Sequence, residues 1–255
     1  VDSTLPESKH HAPQGWQNEP YTVTLKAQDS ESGIKDLYYF GNSVTSTKKK
    51  QALRHDDPGT GLTGQHSVHV SEEGSSQIFY YAIDKVGNVE SKNVFYTKLD
   101  MTAPETTHSD VKRWTAKQTT ISFTAKDELS GVKGIYTRIN DEKTPKKRDM
   151  ITLQDEGDYV IEYYADDNAG NVEEKKELVV GVDTSVPVSS VELSNDDTYT
   201  VTHSTEPHSL YRKSVPTVWF AQSATVKVTA QDALSGVKDI YTRKEGEKSF
   251  HVRDT

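Results

Sequence analysis

The chain has 255 residues, no cysteine and a formal net charge of -9. That acidic balance argues against nucleic acid or an anionic membrane as the main partner, and the missing thiols exclude disulfide staples and a cysteine nucleophile. No apolar run approaches the roughly 20 residues of a membrane span.

A six-residue stretch recurs three times: Asp29-Ser30-Glu31-Ser32-Gly33-Ile34, Asp127-Glu128-Leu129-Ser130-Gly131-Val132 and Asp232-Ala233-Leu234-Ser235-Gly236-Val237. Trp16, Trp114 and Trp219 each stand 13 residues before the aspartate. An Asp-x-x-x-Pro mark opens each copy, at Asp2 to Pro6, Asp100 to Pro104 and Asp183 to Pro187. Copy starts are 98 and then 83 residues apart, long enough for each copy to bury its own core, unlike a short solenoid repeat. The repeat therefore predicts three domains, at 1–99, 100–182 and 183–255. In copy two 52 residues lead from Gly131 to Asp183, whereas 19 follow Gly236. Copy three is thus expected to be an incomplete sandwich, poorly ordered because unpaired strand edges stay open. The natural protein is expected to run on as a longer exported chain.

In chain order, the first clear strand of copy one is Tyr21 to Gln28, matched by Thr119 to Lys126 and Thr225 to Gln231. Strict alternation predicts that Tyr21, Val23, Leu25 and Ala27 face inward, as do Ile121, Phe123 and Ala125 and then Val226, Val228 and Ala230. A Ser-Gly turn follows, then a second strand at Lys35 to Phe40, Lys133 to Ile139 and Lys238 to Arg243. The stretch from Lys48 to Gly64 reads as a surface excursion, and the basic runs Lys48-Lys49-Lys50 and Lys146-Lys147-Arg148 read as solvated loops, with a phosphate or acidic-glycan site as the alternative. The last clear core strand, Gln77 to Asp84 and Tyr159 to Asp167, runs into a Gly-Asn turn before an edge-like strand. Copy three carries an insert near Val191 to Arg212. Short strands with frequent turn signals, and no amphipathic helix, predict an all-β fold of tandem sandwiches with about seven strands each.

Asp-x-Thr-x-Pro, the tryptophan, a strand ending Ala-x-Asp, Ser-Gly-Val and then Tyr-Tyr-Ala-x-Asp-x-x-Gly-Asn together resemble the bacterial immunoglobulin-like tandem repeats of surface adhesins, outer-membrane-associated proteins and secreted polysaccharide-degrading enzymes. The resemblance spans the first two copies and the first half of the third. It implies immunoglobulin-like sandwiches joined as an extended rod with a truncated third copy, extracellular or at the cell surface, and mostly scaffolding.

In such a sandwich the start of the first strand and the loops after the second and sixth strands meet at one pole. That would gather Asp2, Asp29 and Asp84 in copy one and Asp100, Asp127 and Asp167 in copy two, with Asp183 and Asp232 as the corresponding pair in copy three. Parity turns Asp29, Asp84, Asp127 and Asp167 inward. Neighbouring carboxylates repel at low dielectric unless a proton, an amide or a cation intervenes. Calcium, which takes six to eight oxygens, would resolve the conflict and fix the angle between modules. The alternative is that each aspartate caps its own turn.

The tryptophans, placed ahead of a core strand, read as packing groups or as sugar platforms. Tyr136 with Arg138, and Tyr241 with Arg243, lie on the strand face opposite Ile135 and Ile240, as a ligand patch or as ordinary exposed side chains. The histidines show no zinc spacing, and there is no nucleophile elbow, phosphate loop or dinucleotide motif. The expected function is non-catalytic: a stalk or adhesive segment, monomeric within its longer chain, meeting protein or glycan at a cell surface. Strands of eight to ten residues span roughly 30 Å each, so three modules would reach about 100 Å. The alternative is a set of accessory carbohydrate-binding modules in a secreted polysaccharide-active enzyme.

Overall fold

The computed structural model describes residues 1–43, 51–53, 63–194, 201–204, 225–243, 248–249 and 251–253. Lys48-Lys49-Lys50, Trp219 and most of the insert near Val191 to Arg212 lie outside them. All regular structure among the described residues is β.

Copy one contributes β1 (Glu7–His11), β2 (Tyr21–Gln28), β3 (Ile34–Ser43), β4 (Gln51–Leu53), β5 (Thr63–Val70), β6 (Gly74–Asp84) and β7 (Asn93–Leu99). They form two sheets, ordered β1-β2-β5 and β4-β3-β6-β7. The fourth strand pairs with β3, which makes a three-on-four sandwich where the constant-type immunoglobulin arrangement has four on three. Between the sheets lie Val23, Leu25, Ala27, Ile34, Leu37, Val68, Ile78, Tyr80, Ala82 and Phe95. Alternation places them there: every second residue of β2 and β6 is buried, and the same parity carries on to Asp29 and Asp84.

Copy two repeats the plan with β8 (Glu105–His108), β9 (Trp114–Thr115), β10 (Thr119–Lys126), β11 (Val132–Ile139), β12 (Lys146–Lys147), β13 (Met150–Leu153), β14 (Gly157–Asp167) and β15 (Lys176–Val182). Its sheets run β13-β10-β8 and β12-β11-β14-β15-β9. In copy three, β16 (Val188–Ser194), β17 (Val201–Ser204) and β18 (Thr225–Gln231) form one sheet, and β19 (Ile240–Thr242) pairs with β20 (His251–Arg253).

Three expectations need correction. The basic run Lys146-Lys147-Arg148 is not a solvated loop: Lys146 and Lys147 pair with Thr137 and Tyr136 as an edge strand, and Arg148 bonds Thr137 Oγ1 and Glu142. Copies one and two each start with a strand ahead of the tryptophan, at β1 and β8, whose polar sequence (Glu-Ser-Lys-His-His in β1) hides the pattern because a single residue per strand is buried. Val226 is exposed and Val228 and Ala230 are half-buried, because among the described residues the sheet opposite β18 consists of β19 and β20 alone.

The recurring tryptophan has a packing role. Gln17, next to Trp16, makes a parallel bridge to Leu99, and Trp114 pairs in parallel with Gly181 of β15. The segment that leaves the first sheet thereby joins the last strand of the other, closing the sandwich edge. In copy two the ring of Trp114 lies so close over Gly181 that a Cβ there would sit 2.2 Å from ring carbons, and Arg113 covers the ring at 4.7 Å. In copy one the corresponding residue is Lys98, whose ammonium lies 6.0 Å from the Trp16 ring. Gly181→Ala should therefore displace Trp114 and destabilise copy two by about 1 to 3 kcal/mol, the usual cost of overpacking. Urea unfolding followed by tryptophan emission checks this, and an unchanged midpoint refutes the contact.

Candidate metal centre at the module poles

The Ser-Gly turn after β2 and β10 forms because Asp29 and Asp127 hold it. Asp29 Oδ1 accepts from the backbone N–H groups of Ser32 and Gly33 at 2.9 and 2.8 Å. Asp127 Oδ1 accepts from Gly131 N–H at 2.5 Å, and Asp232 Oδ1 from Gly236 N–H at 2.8 Å. Gly33, Gly131 and Gly236 have φ of 79°, 79° and 78°, a left-handed conformation that explains the glycine in every copy. A second cradle follows β6 and β14. Asp84 Oδ1 accepts from the N–H groups of Gly87 and Asn88, both at 2.7 Å, and Asp167 Oδ1 from those of Gly170 and Asn171 at 2.6 and 2.8 Å. The two loops are stitched by Lys85 N–H to Gly33 O and Asn168 N–H to Gly131 O, each 3.0 Å.

The linker aspartate completes each pole. Asp2 Oδ2 accepts from Ser32 N–H at 3.0 Å, Asp100 Oδ2 from Ser130 N–H at 2.8 Å, and Asp183 Oδ2 from Ser235 N–H at 3.0 Å. Asn171 Nδ2 donates to the carbonyl of Asp100 and to Asp167 Oδ2, and Asn88 does the same between Asp2 and Asp84. Asp2, Asp29 and Asp84 offer oxygens within 4.8 Å of one another, as do Asp100, Asp127 and Asp167. Asp183 and Asp232 meet over Ser235. Asp29, Asp84, Asp100, Asp167 and Asp183 are buried.

Turn capping is therefore present, and it engages chiefly one oxygen of each loop carboxylate. Asp29 Oδ2 has only a long contact from Thr4 Oγ1, at 3.4 Å. Among the described residues no lysine or arginine forms an ion pair with either triad. Among the described residues the charge is balanced by hydrogen-bond donors: backbone N–H groups, the Nδ2 groups of Asn88 and Asn171, and the Thr4 hydroxyl. All donors are hard oxygens, with the carbonyls of Asp2 and Asp100 close by, which is the chemistry that suits calcium rather than a softer metal.

Two further acidic pairs escaped the sequence reading. Glu90, in Gly87-Asn88-Val89-Glu90, accepts from Ser8 N–H at 2.8 Å, Ala82 N–H at 3.1 Å and Asn93 Nδ2 at 2.8 Å. Glu173, in Gly170-Asn171-Val172-Glu173, accepts from Thr106 N–H at 2.8 Å and Ala165 N–H at 3.2 Å and pairs with Lys176. These glutamates tie the first strand of one sheet to the sixth strand of the other. Glu73 and Glu156 lie in the turn before β6 and β14 and accept from Thr102 Oγ1 and Thr184 N–H, respectively, in the linker that follows each module. The repeated Gly-Asn-Val-Glu, and a Glu-Gly pair 27 residues before each linker aspartate, were the available signals.

The candidate ligand patch has internal partners. Tyr136 stacks on Tyr164 at 5.4 Å and bonds Asp166, while Arg138 pairs with Glu162 at 3.2 Å. Tyr241 is exposed and its hydroxyl reaches Asp239 at 3.4 Å; Arg243 also makes a contact.

No family model and no curated protein matches the chain. Solved structures with some likeness include the fibronectin(III)-like modules of CbhA from Clostridium thermocellum, with 10% identity, a TM-score of 0.32 and coverage of 69% of this chain and 94% of that one. A domain of intimin gives 11% identity and a TM-score of 0.34 over 68% of this chain and 99% of that one. The SrpA adhesin of Streptococcus sanguinis gives 15% identity and a TM-score of 0.29 over 39% and 60%. Likenesses this weak say nothing about activity.

Hydrogen bonds set the acid response. Those from Ser32 and Thr4 hold Asp2 well below the usual carboxylate range. Burial works against Asp84, but the side chain and amide of Asn88 and the amide of Gly87 outweigh it and lower its pKa. Ser235 lowers that of Asp183. A carboxylate depressed by folding stabilises the fold above its unfolded pKa and loses that contribution as pH falls through its folded value. Urea midpoints should therefore hold steady from neutral pH and decline from about pH 4 downward. A flat or rising midpoint in that window contradicts the hydrogen-bonded poles.

Proposed function

We propose that this segment is a non-catalytic stalk or adhesive rod of a bacterial surface or secreted protein, in which calcium bound at the acidic poles stiffens the joints between modules. The supporting observation is that Asp100, one of three carboxylates within 4.8 Å of one another, is also the residue on which one module ends and the next begins. Its N–H donates to Gln17 O of copy one at 2.9 Å, while its side chain accepts from Ser130 of copy two. A cation held there would bear on both modules at once. Asp100, Asp127 and Asp167 would supply the carboxylate oxygens, and Asp2, Asp29 and Asp84 those of the first pole; Asp183 and Asp232 are the matching pair at the second joint. The ion would offset carboxylate repulsion that neutral hydrogen-bond donors now balance. An acidic, cysteine-free array also suits a surface protein that gains stiffness without disulfides.

Thermal unfolding in calcium and in chelator tests the ion. At a hundredfold excess over Kd, binding to the folded form alone stabilises it by about 2.7 kcal/mol, which should raise the midpoint by several degrees and lengthen the chain in small-angle scattering. Asp127→Asn keeps Oδ1 for the turn and should abolish the rise for copy two. An unchanged midpoint in millimolar calcium would leave turn capping as the sole role of the aspartates.

A further inference from the structure

Beside each acidic pole sits a second carboxylate that belongs to the preceding module. Glu73 lies in the turn between β5 and β6, immediately before Gly74, and its Oε1 accepts from Met101 N–H at 2.5 Å and from Thr102 Oγ1 at 3.0 Å. Glu156 occupies the same turn of copy two. It accepts from Thr184 N–H at 2.8 Å, from Thr184 Oγ1, and from Ser185 Oγ at 3.0 Å. Both carboxylates bind the first residues after the linker aspartate, and both do so with a backbone N–H and a threonine hydroxyl. The spacing from glutamate to linker aspartate is 27 residues in each copy. In both cases the partners are residues of the linker rather than of the glutamate's own module.

We propose that Glu73 and Glu156 are latches that lock the linker against the module before it, a joint device independent of any cation. The linker aspartate alone would permit rotation about its own backbone, because its N–H on Gln17 or Thr115 is a single attachment to the preceding module. A second attachment one or two residues further on removes that freedom. At the first joint the two modules also approach directly: a Cβ on Gly170 of copy two would lie 3.5 Å from Asn18 Nδ2 of copy one. Thr184 and Ser185 lower the pKa of Glu156, as expected of a carboxylate that is ionised while it holds the linker.

The latch deepens the stalk reading, and the two can fail separately. Spin labels placed on β2 and β10 of the whole chain report the distance distribution across the first joint. In chelator at neutral pH, Glu73→Ala should broaden that distribution while the thermal midpoint of each module stays put, and the population outside the wild-type range should rise about tenfold, as for the loss of charge-assisted hydrogen bonds. Labels across the second joint should be unaffected by Glu73→Ala and broadened by Glu156→Ala. Glu73→Gln, which keeps one acceptor oxygen, should fall between wild type and Glu73→Ala. Distributions unchanged by Glu73→Ala and Glu156→Ala overturn the latch even if calcium still narrows the wild-type distribution. If calcium has no effect on the wild type but Glu73→Ala broadens it, the latch stands and the calcium reading falls.

Discussion

Sharing of one aspartate between two folded modules is the constraint on which the chain is built. Asp100 gives its N–H to copy one and its carbonyl and side chain to copy two, and Asp183 likewise gives its N–H to copy two and its side chain to copy three. The aspartate at each joint is thus part of the folds on both sides. A linker of this kind behaves unlike a flexible tether, whose end-to-end distance fluctuates with length. The difference in length between copies is accommodated away from it, between the third and fifth strands.

The buried carboxylates at the poles are tolerable because the chain aims amides at them. Left-handed glycines point successive N–H groups at one oxygen of Asp29, Asp127 and Asp232, and the Gly-Asn turns do so for Asp84 and Asp167. Away from the poles the copies diverge. The outer face of copy one stacks Tyr38 on Tyr81 and Phe40 on Phe79, each at 5.2 Å. The matching face of copy two keeps the first stack, as Tyr136 on Tyr164 at 5.4 Å, and replaces the second with Arg138 and Lys175 paired to Glu162. Cross-strand rings and cross-strand charges are interchangeable supports for the same sheet, whereas the polar loops have kept one solution.

The sandwich plan and the aspartate poles were legible because both leave periodic marks. Strands β2, β6, β10 and β14 alternate strictly, and the parity that buries Leu25 and Ala82 also turns Asp29 and Asp84 inward. The first strands were not legible, since β1 and β8 bury one residue each and are polar throughout. The C-terminal half of the insert and Trp219 fall outside the described residues. Glu90 and Glu173 were missed because a buried glutamate on a polar stretch looks like a surface residue until Ser8 and Thr106 are brought to it across the fold. The strand at Lys146 and Lys147 was missed for the opposite reason, charge: lysines beside one another suggest solvent, and here they also line a sheet margin.

That margin matters for a chain made of near-copies of itself. Tandem sandwiches hold similar strands at very high mutual concentration, and an open sheet edge is an invitation to pair with the wrong neighbour during folding. Lys146, paired with Glu142, and Lys147, bonded to the Lys133 carbonyl, put cationic side chains on the outermost strand of copy two, and covering them with another strand would cost their hydration. The array thus carries its own guard against cross-pairing, placed on the strand that its closest relative in the chain would otherwise find.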